Sequence, residues 1–261
     1  MTESPLLYAA VFISSLGSVV AILGLALVAF KLRKRLQRLE HRISDTMFWV
    51  HFDRTLRPLM PLPRPGGWAV ATDFLAELVR LIRTRKPQFI VELGSGLSTL
   101  IAALALKEVG TGRLISFDHD DAFGRQTQAR LRENGLQTIA DVRTARLKQR
   151  AGSPQAGLWY DVTALADLRD IDMLVVDGPP ADIHPEIRGA ALTYFWERLA
   201  PGGIIVLDDA NRKGERSFVQ SEMKRLPGMA VEYIDTEKGM VVLTKCSETA
   251  DVAQATGRLH A

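Results

Sequence analysis

Glu92-Leu93-Gly94-Ser95-Gly96 follows the apolar run Phe89-Ile90-Val91 and leads into Leu97-Ser98-Thr99. The order predicts a buried strand, a tight turn and a helix. Glycines at 94 and 96 let the backbone bend sharply and approach a ligand where a Cβ would collide. The helix behind them offers free N–H groups and the positive end of its dipole. Glu92 would repel a pyrophosphate, so the turn suits a nucleotide with a cationic or amino group. Glu92, Gly94, Ser95, Gly96 and Ser98 are therefore candidate contacts. The next strand, Leu114-Ile115-Ser116-Phe117, ends on Asp118-His119-Asp120. A carboxylate at that distance can accept both hydroxyls of a ribose. Asp118 suits that role or the capping of a helix from Asp121; Asp120 is the better cap.

Two further strands end on acids. Asp172-Met173-Leu174-Val175-Val176 runs into Asp177, and Gly203-Ile204-Ile205-Val206-Leu207 into Asp208-Asp209. The elements between them alternate. An amphipathic helix with Phe74, Leu75, Leu78, Val79 and Ile82 on one face precedes the first strand at 88–93. An alanine-rich helix follows the glycine turn, and strands at 113–117 and 139–145 flank a helix over 121–134. A helix from about Pro185 to Leu199 follows the fourth strand, and one through Met223 the fifth. Val231–Ile234 and Met240–Thr244 read as a closing hairpin. Such alternation implies a Rossmann-like, doubly wound α/β fold, its mostly parallel seven-stranded sheet covered by helices on both faces. Ligands of these sheets bind at the carboxyl ends of the strands. Gly94–Ser98, Asp118, Asp177 and Asp208–Asp209 then share one edge.

Taken together, the ELGSG-x-ST turn, Phe117-Asp118, Asp177-Gly178-Pro179-Pro180 and Pro201-Gly202-Gly203 through Leu207-Asp208-Asp209 resemble the class I S-adenosylmethionine-dependent methyltransferases. The resemblance covers about Trp68 to Lys245. It implies S-adenosylmethionine as donor, held by the glycine turn and Asp118. It also implies a catechol-type metal site in which Asp177, Asp208 and Asp209 hold Mg²⁺ beside the methyl group. Two departures stand out: Asp209 replaces an asparagine, and Gly178-Pro179-Pro180 occupy the place of a catalytic lysine. Asp177 also suits a metal-free role as general base or orienting group. His184 is the nearest imidazole and reads as base or as a surface histidine. Asp208 or Asp209 also suits a purely capping role for a helix beginning near Asn211. Arg188 and Arg212 suit an anionic substrate group or a solvated helix face, and Trp68 a substrate pocket or the core.

Leu6 to Phe30 contains no charged residue. Those 25 positions span about 37 Å as a helix, enough to cross a bilayer. The run is too long for a signal peptide and lacks a cleavage site. Lys31, Arg33, Lys34, Arg35 and Arg38 follow it, so the positive-inside rule places the remainder in the cytoplasm, at the inner membrane as a single-pass protein. Leu32, Leu36, Leu39 and Ile43 form a short heptad-like stripe. It suits a homodimer, aided by Gly17 and Ala21 in the span, or a helix lying on the membrane or docked on its own domain. The expected organisation is a short segment 1–5, an anchor 6–30, a basic stalk 31–57, the catalytic domain 58–246 and a tail 247–261. Cys246 is the only cysteine, which excludes an intramolecular disulfide and a multi-cysteine zinc site. The net charge of +3 resides in the juxtamembrane basic run, so no nucleic-acid footprint is expected.

The expected reaction is methyl transfer to an oxygen, less readily a nitrogen, of a membrane-associated acceptor such as a lipid-linked glycan or another lipid intermediate. A nicotinamide-dependent oxidoreductase is disfavoured by Glu92 and by Ser98 in place of a third glycine. A membrane-tethered scaffold without turnover is the other alternative.

Overall fold

The computed structural model describes residues 5–63, 70–149, 157–180, 183, 188–226 and 228–246. Within its helices, the side chains of residues 5–21, 37, 38, 40–42, 44, 213, 215 and 223 lie outside the description. The chain divides into two units, Met1–Phe52 and Asp53–Ala261.

The first unit is one helix, α1 (Pro5–Leu56), which crosses the boundary in its last turns. Of the expected anchor, side chains are described from Ile22 on, and those from 22 to 30 are exposed. Gly17 and Ala21 fall outside the described side chains. Leu32, Leu36, Leu39 and Ile43 of the stripe are also exposed, at 51–60%. Among the described residues no helix is long and apolar enough to cross a membrane.

The second unit is built on a seven-stranded sheet. Its strands are β1 (Phe89–Leu93), β2 (Arg113–Asp118), β3 (Ala140–Thr144), β6 (Ile171–Val176), β7 (Leu199–Asp208), β8 (Met229–Ile234) and β9 (Met240–Lys245). Their order is β3-β2-β1-β6-β7-β9-β8. The first five are parallel, and β9 and β8 add the antiparallel edge. Helix α2 (Thr72–Arg85) precedes β1, and α3 (Leu97–Val109), α4 (Asp121–Glu133), α5 (Gly189–Phe195) and α6 (Lys213–Arg225) lie in the connections between strands. The order reverses between β1 and β6, and a doubly wound sheet opens its ligand crevice at that switch point.

The expected helix face of α2 is buried throughout, from Phe74 to Ile82. Asp120 caps α4, accepting from the Ala122 and Phe123 N–H groups. Pro201-Gly202-Gly203 lies inside β7, which begins four residues before the expected strand. Pairing with β6 shifts register there, and a Cβ on Gly203 would stand 2.7 Å from the Ile171 carbonyl oxygen. Glycine is therefore required at the bulge. The helix expected over 185–199 is shorter: α5 spans 189–195 and ends in a 3-10 turn at Trp196–Arg198, with residues 184–187 outside the description. A small antiparallel pair, β4 (Leu147–Gln149) and β5 (Leu158–Tyr160), was not foreseen; three-residue strands carry too little periodicity to be read.

A large buried cluster lies on the face of β1 that carries Phe89, Val91 and Leu93. It joins them to Trp159, Tyr160, Phe195 and Trp196. The start of β1 is fastened from the neighbouring strand, where the Asp172 Oδ2 accepts from the Gln88 and Phe89 N–H groups at 2.8 and 2.9 Å. Asp172→Ala removes both charge-assisted bonds. It should cost roughly 1–2 kcal/mol, read as a lower midpoint in thermal or urea unfolding.

Candidate active site

The turn expected at the end of β1 is present, and its geometry is enforced by its neighbour. Gly94 has φ +95°, a conformation open to glycine. A Cβ on Gly94 would stand 2.8 Å from the Gly178 nitrogen, and one on Gly178 would stand 2.8 Å from the Gly94 Cα. The Asp177 N–H donates to the Leu93 carbonyl at 2.9 Å. The glycine turn and the Asp177-Gly178 loop are thus pressed backbone to backbone across the switch point. This contact is the reason that glycine is needed at both positions.

Each acid of the edge is held differently. Glu92 is 1% exposed and lies under the start of α3. Thr99 Oγ1 donates to its Oε2 at 2.5 Å and accepts from the Gly96 N–H at 2.9 Å. Burial raises the Glu92 carboxyl, and hydrogen bonds from Ser116, Ser98 and Thr99 oppose the rise. Its other oxygen has no partner among the described residues. Ser98 is buried and faces Glu92. Both therefore support the turn from beneath, within the candidate site.

Asp118, 4% exposed, accepts from the Ser95 N–H (3.0 Å) and hydroxyl (2.6 Å) on one oxygen. Its other oxygen accepts from the Asp120 N–H at 2.9 Å. The residue chosen as ribose ligand is also the tie between the β2 tip and the glycine turn, while Asp120 is the cap. Asp118 keeps acceptor capacity, since a carboxylate offers about four lone-pair sites.

Asp177, Asp208 and Asp209 come together as expected, one oxygen of each lying within 4.8 Å of the others. Neither Asp208 nor Asp209 caps a helix: α6 starts at Lys213, with Arg212 as the preceding residue. Asp209 instead turns the chain, with φ +61°. Arg188 and Arg212 both reach its Oδ2, at 2.6 and 3.0 Å. Asp208 is 1% exposed, and neither of its oxygens has a hydrogen-bond partner among the described residues. Burial, then the neighbouring Asp209, pushes its carboxyl up to about 6. Asp177 remains partly exposed at 19%. Burial first, and then Asp208, raise it well above the usual carboxylate range.

Arg188 is the residue that the sequence least revealed. It is 5% exposed, not a solvated helix-face cation. Its guanidinium reaches the Asp177 carbonyl (2.6 Å) and carboxylate (3.4 Å), the Asp209 carboxylate, and the Pro179 and Asp208 carbonyls. The run Gly189-Ala190-Ala191 behind it was the available signal. Small buried residues let α5 pack closely and turn position 188 inward. Tyr160 was also missed. Its hydroxyl is buried without a partner among the described residues, and a Cβ on Gly178 would stand 2.8 Å from it. His184 and Trp68 lie outside the described residues.

The three carboxylates are hard oxygen donors of the kind that Mg²⁺ takes. Two of the three, however, already face a buried guanidinium, and the Asp209 oxygen is shared by two arginines. A divalent ion does not fit that arrangement without displacing Arg188.

A family model described as a methyltransferase domain matches residues 91–210. No curated protein matches the chain in sequence. Among solved structures, the O-methyltransferase TomG from Streptomyces achromogenes in complex with SAM is 21% identical with a TM-score of 0.52, covering 80% of this chain and 90% of its own. The O-methyltransferase from Bacillus cereus in complex with SAH is 15% identical with a TM-score of 0.52, covering 77% and 90%. The SAH-bound methyltransferase PaMTH1 of Podospora anserina is 13% identical with a TM-score of 0.53, covering 69% and 80%. At these identities the likeness is one of fold.

Two outcomes follow from the geometry. Gly94→Ala meets backbone on the facing loop and a positive φ, so it should destabilise the protein by roughly 2–3 kcal/mol in urea unfolding. Asp208 holds its proton more tightly when folded, its carboxyl pushed up to about 6 from the ordinary 3.8. Between those pH values the native state binds more protons than the unfolded chain, so stability falls as pH rises. Asp208→Asn should remove that part of the fall and be more stable by about 2–3 kcal/mol above pH 7, measured by unfolding across pH 4–8. The part belonging to Asp177 should shrink, because Asp208 is one cause of its rise, but persist, because burial is the first.

Proposed function

We propose that this chain is a class I S-adenosylmethionine-dependent methyltransferase that moves a methyl group from that donor to an oxygen of an acceptor presented at a membrane surface. The observation that carries the reading is the contact of the glycine turn with the Asp177 loop. It sets a donor-type turn directly beside a carboxylate that is still partly open.

S-Adenosylmethionine would supply an electrophilic methyl group on a sulfonium. Gly94 carries the turn, Gly96 leaves room for close approach, the helix α3 starts directly behind them, and Asp118 is placed to take the ribose hydroxyls. Asp177 is the base. It is the most open of the three clustered carboxylates, and its raised affinity for a proton suits a group that must accept one near neutral pH. In the transfer a C–O bond forms as the C–S bond breaks, the electron pair stays on sulfur, and the acceptor proton passes to Asp177. Holding both reactants in line supplies most of the acceleration. No step requires the Mg²⁺ that the family resemblance implies. Preference for oxygen is supported by the O-methyltransferases among the solved structures of like fold.

The membrane part of the proposal rests on the uncharged run from Leu6 to Phe30 and the basic residues after it. The exposed apolar side chains from Ile22 to Phe30 support it. The domain would face the cytoplasm, with a lipid-linked molecule as the acceptor and the exposed stripe Leu32, Leu36, Leu39, Ile43 joining two copies.

Calorimetric titration of the full chain with S-adenosylmethionine should show micromolar binding that Asp118→Ala weakens at least tenfold. With membrane extract as acceptor, Asp177→Asn should lower methyl transfer by about 100-fold or more while leaving donor binding near wild type. Absence of donor binding in a folded sample would overturn the reading.

A further inference from the structure

Buried charge at the sheet edge has one feature that the donor and base do not use. Three carboxylates converge within 4.8 Å, an arrangement that ordinarily calls for a metal ion. Here a side chain of the same protein enters the cluster. Arg188 comes from the residue before α5, is 5% exposed, and directs one terminal nitrogen to Asp209 and the other to Asp177. Its remaining contacts are carbonyls of Asp177, Pro179 and Asp208. The guanidinium thus clasps the loop after β6 and the end of β7 together, as a bridging ion would. Guanidinium suits this position because its planar fork meets two carboxylates at once and it is less strongly hydrated than an ammonium.

We propose that Arg188 is the resident cation of this cluster, standing where the family resemblance would put Mg²⁺, so that the site positions its acids without a divalent ion. This deepens the methyltransferase reading but its key test does not depend on turnover. A cation of charge two placed among the same oxygens would face the guanidinium at close range in a poorly solvated site, where like charges repel strongly. Asp177 and Asp209 cannot serve both. Arg188 is accordingly a positioning residue. It fixes the Asp177 backbone and carboxylate, and through the Asp177 loop the face of the glycine turn. The two unpartnered oxygens of Asp208 remain, and it is these that a metal would recruit if the arginine were absent.

The experiment is Mn²⁺ binding to the full chain, read by electron paramagnetic resonance, for the wild type, Asp208→Asn, Arg188→Met and the double variant. Wild type and Asp208→Asn should be alike and show no specific binding at about 1 mM. Arg188→Met, which leaves Arg212 on Asp209 as the cluster's remaining ion pair, should bind one Mn²⁺ at least about tenfold more tightly than the wild type. The double variant should lose that gain. A wild-type Mn²⁺ site abolished by Asp208→Asn overturns the proposal, as does a folded Arg188→Met with no gain. Should Arg188→Met fail to fold by circular dichroism, the wild type against Asp208→Asn decides, identical titrations supporting the proposal and a difference overturning it. Donor binding is measured on the same wild-type sample. Its absence beside the expected Mn²⁺ pattern would remove the methyltransferase reading and leave the role of Arg188 standing.

Discussion

Negative charge taken out of water must be compensated, and that requirement shapes the carboxyl edge of this sheet. Glu92, Asp118, Asp208 and Asp209 are each less than 5% exposed, and Asp177 is only partly open. Unpaired carboxylates in such surroundings are costly enough to change protonation or unfold the site. The protein meets the cost in three ways. Hydrogen bonds from the turn satisfy Asp118, a threonine hydroxyl answers Glu92, and a buried guanidinium answers Asp177 and Asp209. Since those partners come from the glycine turn, α3 and the segment before α5, charge compensation also fixes how these segments meet the strand ends.

The glycines follow from the same compactness. Strands β1 and β6 are neighbours in register up to Leu93 and Val176, so the chain must leave both at the same level. Two loops bearing side chains could not pass there. Gly94 opposite Gly178 lets them touch through backbone, and the Tyr160 ring from the small β4–β5 sheet closes the remaining space. Position and chemistry are coupled through that contact, because any shift of the Asp177 loop is transmitted to the turn.

Much of this was legible in the sequence where a signal was local. Strand tips announced themselves by an apolar run ending on an acid, and the turn by its spaced glycines, so Asp118, Asp177, Asp208 and Asp209 were placed correctly at one edge. What could not be read was the partner of each acid. Arg188 is 11 residues from Asp177 and 21 from Asp209, and only the β6–β7 crossover brings the three together. Asp118 could be read as a candidate ribose ligand but not as the brace of the turn, since that bond spans 23 residues. Tyr160 belongs to a strand of three residues that no periodicity could mark. The sequence pattern thus reports which residues reach the edge, and the tertiary fold decides what each one faces.

Satisfaction of polar groups is also uneven across the site, and the unevenness has a direction. On the donor side, the Asp118 carboxylate already accepts three hydrogen bonds from the protein and is rigid. Toward β7, both Asp208 oxygens and the Tyr160 hydroxyl are buried without partners among the described residues. Folding alone would select against such groups, because each unsatisfied polar atom carries a desolvation cost that an apolar side chain of similar shape avoids. Their retention side by side with a partly open Asp177 is the pattern of a site that gives up stability where a bound molecule will supply the missing bonds. One half of the edge is thus fixed by the protein's own bonds, and the half beside it keeps unpartnered groups next to the one carboxylate that stays partly open.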